Sequence, residues 1–349
     1  MMRRLTPAAA ALVLLVSLSG CAVTGSVDAE RTDTQSLIVE LAPVVVVDTF
    51  NGRISVTAGA DGVVEARVTS RGSGTSQADA EADLNNVQVT FDHSFGKFEQ
   101  VTITARRTDK PLTLGNSGAD IEVTVPAASS LQLRTSNGRV EAANVLGSIL
   151  ARTSNGAITT RGGTDLDLDT SNGPLSVNNA SGQLKLRTSN GPLDVLGARE
   201  ALVTATTSNA GLSFNGSLRP GNHVFETSNG DLSLTLPGNS WFSIDGHTSN
   251  GSVRTDFPLD VSASSITGTA GSAPRPSPGP SGSPGTSGTP GGSPSSSVSP
   301  VSGGPGVSPT QGASPAPGAS PSASPAAKAP TLISALTNNG DLSVMNQKP

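Results

Sequence analysis

Residues 131–142 read Leu131-Gln132-Leu133-Arg134-Thr135-Ser136-Asn137-Gly138-Arg139-Val140-Glu141-Ala142. Apolar and polar residues alternate on both sides of Thr-Ser-Asn-Gly, the period of two that belongs to strands. Asn-Gly between them is a corner signal, because both residues take positive φ at low cost. Alone, strand, Asn-Gly, strand would be a hairpin. The motif returns, however, with its Asn at Asn137, Asn155, Asn172, Asn190, Asn229 and Asn250, and with the variant Thr207-Ser208-Asn209-Ala210 in the gap. Successive spacings are 18, 17, 18, 19, 20 and 21 residues.

A fixed period near 20 residues marks a coil of units that cannot bury their apolar faces alone. Equivalent residues of such a coil stack about 4.7–4.9 Å apart in parallel ladders. The expectation is an all-β chain forming a single-chain β-solenoid, with parallel stacked rungs of about 17–21 residues. Each rung is a strand, an Asn-Gly corner, a second strand and a Gly-bearing corner such as Leu146-Gly147 or Leu196-Gly197. An antiparallel sandwich or meander is the alternative. Ala210 breaks the pattern at a Gly position, and Gly211 beside it is placed to take up the strain.

Two further copies lie outside the array, at Thr49-Phe50-Asn51-Gly52 and Thr337-Asn338-Asn339-Gly340. Nine corner Asn result: Asn51, Asn137, Asn155, Asn172, Asn190, Asn209, Asn229, Asn250 and Asn339. Stacked Asn side chains hydrogen-bond along the axis, so the column reads as a structural ladder; a polar ligand strip is the functional alternative.

The leader has its own signature. Arg3 and Arg4 precede an apolar run from Ala8 to Val16, too short for a membrane span of roughly 20 residues. It ends in Leu18-Ser19-Gly20-Cys21, which resembles a bacterial lipobox, with cleavage between Gly20 and Cys21 and lipidation, palmitate included, at Cys21. The alternative is an ordinary secretory signal followed by a chance Cys. Residues 1–20 are therefore expected as a lipoprotein signal peptide and 21–36 as a flexible tether. Residues 37–128 form a strand-rich N-terminal cap with a short helix near Ser76–Leu84, and 129–262 the regular repeats. Fifteen of the 25 prolines fall between Pro274 and Pro330, so 263–330 is expected as a disordered Pro/Ser/Gly-rich insertion. Residues 331–349 are expected as the terminal rung and tail. Stretching a loop from about 6 to about 60 residues costs only about 2 kcal/mol, while burying each of Ile333, Leu342 and Val344 contributes about 1.5–3 kcal/mol.

Composition narrows function. The 349 residues include 40 Gly, 8 Phe, 1 Trp, no Tyr and a single Cys, with net charge −5. A thick aromatic core, a disulfide framework, a Cys-based zinc site and a nucleic-acid binder working through bulk basic charge are excluded. Only His93, His223 and His247 are available for His-centred chemistry. Asp165, Asp167 and Asp169 alternate along one strand but lack an opposing acid for glycoside chemistry. Gly162-Gly163-Thr164-Asp165 is only a fragment of the calcium β-roll repeat. The Thr column (Thr135, Thr153, Thr170, Thr188, Thr207, Thr227, Thr248) lacks the second outward Thr column that ice binding requires, since its neighbour is Arg134, Arg152, Asp169, Arg187, Thr206, Glu226 and His247. In parallel stacking Asp169 lies between Arg152 and Arg187, and Asp167 beside Lys185. No catalytic residue, metal or cofactor is expected.

The segment Val123 to Gly138, V-T-V-P-A-A-S-S-L-Q-L-R-T-S-N-G, with the repeated Thr-Ser-Asn-Gly and the earlier Thr-Phe-Asn-Gly, resembles the bacterial putative-adhesin domain family. The resemblance covers about residues 40–262 and resumes at 331–345. It implies a β-solenoid envelope protein and carries over no catalytic residues. The expected function is a non-enzymatic, lipid-anchored cell-envelope protein acting as an adhesin-like binding scaffold, exported and held to the membrane by its N-terminal lipid. Surface glycans or envelope proteins are the expected partners, with no nucleic acid. The alternatives are an envelope structural or stress-response component that binds another envelope protein, and a polysaccharide-active enzyme on a β-helix.

Overall fold

A computed structural model describes residues 26–40, 42–108, 117–272 and 330–347. The chain divides into two units, of which Pro274–Lys328 lies outside the described residues; so do Gly20 and Cys21. The N-terminal part comprises β1 (Val27–Ile38), β2 (Val44–Thr49), β3 (Ile54–Gly59), β4 (Val63–Gly74), α1 (Gln77–Asn85), β5 (Val87–Phe95), β6 (Glu99–Arg107) and β7 (Gly118–Pro126). The coil follows as β8 (Ser130–Arg134), β9 (Val140–Val145), β10 (Ile149–Thr153), β11 (Ile158–Gly162), β12 (Thr164–Thr170), β13 (Leu175–Asn178), β14 (Ser181–Arg187), β15 (Leu193–Thr206), β16 (Leu212–Leu218), β17 (Asn222–Asn229) and β18 (Leu232–Leu236). The chain ends with β19 (Phe242–Thr248), β20 (Val253–Thr255), β21 (Asp260–Val261), β22 (Ser265–Ala270), β23 (Thr331–Asn339) and β24 (Leu342–Asn346).

The expected β-solenoid forms. Strands before each Asn-Gly corner pair in parallel as one wall, and strands after it as the other. Register follows the repeat: Leu131, Ile149, Leu166 and Leu184 stand in one inward file, and Val140, Ile158, Leu175 and Leu193 in the facing one. All eight are at most 1% exposed. The core is a narrow aliphatic column, thickened where Phe214 meets Phe225 at 5.3 Å. Each fully buried Leu, Ile or Val contributes about 1.5–3 kcal/mol, and because neighbouring rungs share the same column, no rung holds that stabilisation alone.

Spatial order departs from chain order at both ends. The β2/β3 rung lies between β6/β7 and β8/β9. The β23/β24 rung, expected to be terminal, lies instead between β17/β18 and β19/β20. Antiparallel β22 pairs with β19 and closes that end, with Ile266 and Ala270 buried. The expected insertion boundary at 263 therefore moves past β22, whose Ser/Thr/Gly-rich sequence blends into the tract that follows.

The expected tether also changes. Val27–Ile38 forms β1, paired with β4 along all twelve residues. Its inward row mixes Ala29 and Leu37 with Arg31, Asp33 and Gln35, so no apolar alternation betrays the strand. The cap helix starts where Ser76 Oγ accepts from Asp79 N–H at 3.2 Å, one residue inside the expected start. Asp83 on α1 ties the cap together, accepting from Ser73 N–H at 2.9 Å, Ser117 Oγ at 2.6 Å and Arg107 Nη2 at 2.7 Å. Burial alone would raise its pKa, but these donors and the Arg107 charge outweigh it and hold the carboxyl below its ordinary value.

Candidate functional site

The Asn-Gly corner is the most regular exposed feature of the coil, and its backbone explains why. Ser136 C=O accepts from both Ser154 N–H and Asn155 N–H, at 3.0 and 3.1 Å, and the same pair recurs from Ser154 to Ser171 and Asn172. Each corner Thr is buried and donates its hydroxyl to the corner carbonyl of the preceding rung: Thr153 to Gly138 at 3.1 Å, Thr170 to Gly156 at 2.9 Å and Thr188 to Gly173 at 3.0 Å. The same hydroxyl accepts from the N–H of its own corner glycine, as Gly173 to Thr170 at 3.3 Å. The Thr column thus faces inward, so it offers no outward lattice to ice.

In the regular array the corner glycines Gly138, Gly156, Gly173 and Gly191 serve close approach rather than positive φ, which corrects the sequence expectation. A Cβ at Gly156 would lie 1.7 Å from Gly138 O, and one at Gly173 would lie 1.8 Å from Gly156 O. Positive φ belongs to the second corner, at Asn144 (61°), Asp165 (59°), Asn179 (56°), Gly182 (76°) and Gly197 (70°).

Outside this frame run the Asn side chains. Asn155 Nδ2 donates to Asn137 Oδ1 at 2.6 Å, Asn172 to Asn155 at 2.6 Å, Asn190 to Asn172 at 2.7 Å and Asn209 to Asn190 at 2.7 Å. The file continues from Asn229 to Asn209 at 2.9 Å, Asn339 to Asn229 at 2.7 Å and Asn250 to Asn339 at 2.8 Å. Eight of the nine expected Asn are joined. Asn51 is not: its Nδ2 donates instead to Ser117 O of the cap at 2.9 Å. At about 4.8 Å per step, the joined file is about 34 Å long.

An amide inside the file uses one donor hydrogen and one acceptor lone pair along the file, which leaves a second of each; at Asn229 the Nδ2 group also donates to Ser208 O at 3.4 Å. Beside it Ser136, Ser154, Ser171, Ser189 and Ser208 are exposed, and among the described residues their hydroxyls have no hydrogen-bond partner within the chain. This Ser column was missed in sequence; its signal is the position directly after each inward Thr, which in a strand must face out. The outer face of the adjoining wall continues the same chemistry, with Thr159, Ser176, Asp194, Ser213 and Ser233 in one register.

The other wall is charged. Asp169 lies between Arg152 and Arg187, and Asp167 beside Lys185, in the ladder register. Arg152 reaches Asp169 at 3.0 Å and Asp167 at 3.5 Å, while Asp165 Oδ1 accepts Gln183 N–H at 2.7 Å. The three acids are therefore engaged in holding rungs. His93 pairs with Glu99 at 2.8 Å and His247 with Asp245 at 3.0 Å. His223 is buried, accepting Val203 N–H on Nδ1 at 3.1 Å and donating Nε2–H to Arg219 O at 2.9 Å. Burial pushes its pKa below the ordinary value; the Arg219 carbonyl opposes this and the Arg219 charge adds to it. Among the described residues no three His, Cys, Asp or Glu side chains are grouped to hold a metal ion, and no helix is long and apolar enough to cross a membrane.

A coil of these rungs, with a polar Asn and Ser corner, is the setting for the comparisons with known proteins. The Toastrack DUF4097 family matches residues 35–276, more than half of the chain, and the chain belongs to it. The resemblance to the putative-adhesin domain family, read from Val123 to Gly138, is borne out at this level. Two solved structures are similar to the chain. One is a putative cell adhesion protein from Clostridium sporogenes ATCC 15579, 8% identical with TM-score 0.26, the match covering 90% of this chain and 100% of that one. The other is a putative adhesin from Bacteroides fragilis NCTC 9343, 12% identical with TM-score 0.31, covering 90% of this chain and 97% of that one. Among curated proteins none matches the chain.

Proposed function

We propose that the chain is a non-enzymatic, lipid-anchored protein of the bacterial cell envelope that acts as an adhesin-like binding scaffold. The observation that carries this reading is the exposed file of eight Asn amides from Asn137 to Asn250, running beside a column of exposed Ser residues. Equivalent groups repeated at about 4.8 Å favour a repetitive, hydroxyl-rich partner such as a surface glycan. Single contacts of this kind are weak, and affinity comes from many engaged together. The engagement of Asp165, Asp167 and Asp169 by neighbouring rungs supports a role without catalysis. Lipidation at Cys21 rests on the leader sequence, and its check is loss of fatty-acid labelling in Cys21→Ser.

The test pairs a binding measurement with a location measurement. Ser171→Lys with Ser189→Lys places two long charged side chains on the strip without touching the Asn file. Cells carrying this variant are expected to lose glycan adhesion at least tenfold at unchanged protein level. Unchanged adhesion would overturn the strip as the contact surface. Cleavage by protease added to intact cells is expected; protection would favour a component that binds another envelope protein.

A further inference from the structure

The two walls end differently at the N-terminal cap. One wall ends in β6 and antiparallel β5; the other continues from β7 through antiparallel β4 to β1. Among the described residues strand β1 pairs only with β4, and β5 only with β6. Their free edges face each other across a seam, because Arg31 Nη2 on β1 donates to Val87 O on β5 at 2.8 Å. At the other end Glu40 N–H donates to Glu99 Oε2 at 2.5 Å. Beside the Arg31–Val87 contact lies a groove of about 580 Å³, with Arg31, Asp33 and Gln35 on one side and Val87, Val89 and Phe91 on the other.

We propose that this seam is a strand-acceptor site for an extended peptide segment of a protein partner, with small apolar residues at alternate positions and Lys or Arg between them. Three observations converge on that occupant. First, each edge presents a row of backbone N–H and C=O groups that have no strand partner among the described residues, and an added strand is the ligand whose own backbone matches such a row. Second, Val89 and Phe91 are only partly buried although they pack against the core, so alternate side chains of an inserted strand would complete their cover. Third, the outward rows beside the groove carry exposed Asp28 and Glu30 on β1 and exposed Asp92 on β5. Arg71, the cross-strand partner of Glu30, is already held by Asp120 at 2.7 and 3.0 Å. Outward side chains of the guest would therefore meet negative charge on both sides. From Arg31 to the end of β1 at Ile38 the edge offers eight residues to a guest strand, at roughly 3.3 Å each.

This inference stands apart from the glycan reading, since the seam lies in the cap and the strip on the coil; failure of one leaves the other intact. The probe is an eight-residue alternating Val-Lys peptide added to the full chain, followed by titration and amide hydrogen exchange. Amides of β1 and β5 are expected to exchange at least tenfold more slowly when the peptide is bound. The alternating Val-Glu peptide is expected to bind at least tenfold more weakly, and a Val-Lys peptide with proline at its two central Val positions to give no protection. In the variant Glu30→Lys with Asp92→Lys the preference between the Lys and Glu peptides should invert. The proposal is overturned if saturating peptide leaves β1 and β5 unprotected, or if the proline peptide protects them equally. It is also overturned if the two edges are already protected in a concentration-dependent dimer, which would make a second copy the occupant.

Discussion

Asn339 Nδ2 donates to Asn229 Oδ1 at 2.7 Å although 110 residues separate them. Asn339 in turn accepts from Asn250 at 2.8 Å, so the last repeat in the chain sits between two that precede it. The register agrees on both walls, with Ile333 between His223 and Ile244, and Leu342 between Leu232 and Val253. A rung in that place buries both faces of its strands, and Ile333, Ala335, Leu342 and Val344 are 0–3% exposed. The β19/β20 rung consequently reaches its final seat only after the chain beyond residue 330 has been made.

Close packing at the corner predicts that two neighbouring glycine types behave differently. Gly156→Ala would bring a Cβ within 1.7 Å of a backbone carbonyl, whereas at Gly211 the nearest atom is Asp231 O at 3.4 Å. Neither glycine has positive φ. Gly156→Ala is expected to destabilise by about 2–3 kcal/mol and Gly211→Ala to change stability by no more than about 0.5 kcal/mol, read from denaturant midpoints. Equal costs at the two sites would contradict the packing argument.

One substitution is expected to have opposite signs at two buried threonines. Thr170 donates to Gly156 O and accepts from Gly173 N–H, at 2.9 and 3.3 Å. Thr160, in register with Ala142 and Val177, has a buried hydroxyl with no partner. Thr170→Val should destabilise by about 1–3 kcal/mol and Thr160→Val should stabilise by about 1 kcal/mol. Urea unfolding of both variants checks the pair.

Much of this was legible in the sequence, and the failures have physical reasons. Period, strand direction and the inward files follow from Thr-Ser-Asn-Gly alone, because a parallel ladder forces equivalent residues into line. The seat of Thr337–Gly340 was not legible, since every rung offers the same edges and nothing in its sequence prefers the end of the coil to a gap within it. Strand β1 was hidden because Arg31, Asp33 and Gln35 occupy inward positions beside a groove rather than in a core. The glycine argument failed for a related reason: close approach of the next rung, not the dihedral, fixes Gly138 and Gly156. Of the nine corner Asn, eight are joined side chain to side chain, and Asn51 donates instead to the cap at Ser117 O.

His223 predicts a stability change on mild acidification. Its folded pKa lies below the unfolded value, which is about 6.5. The unfolded chain therefore takes up the proton first, and stability is fully present above that pH and lost as pH falls through the folded pKa. The carboxyls of Asp79, Asp83 and Asp341 are held below 3.8, so their loss comes at more acid pH. Thermal midpoints from pH 8 to 5 should fall more steeply in the native chain than in His223→Gln. Parallel slopes would remove His223 as the cause.

The intercalated rung is tested most directly by pairs of engineered cysteines on the outward column, in a Cys21→Ser background. Leu332 is in register with both Asn222 and Ser243, within the reach of a disulfide between adjacent strands. Oxidation is predicted to join Asn222→Cys with Leu332→Cys, and separately Ser243→Cys with Leu332→Cys, while Asn222→Cys with Ser243→Cys stays reduced. A bond between positions 222 and 243, with none between 222 and 332, would contradict the account.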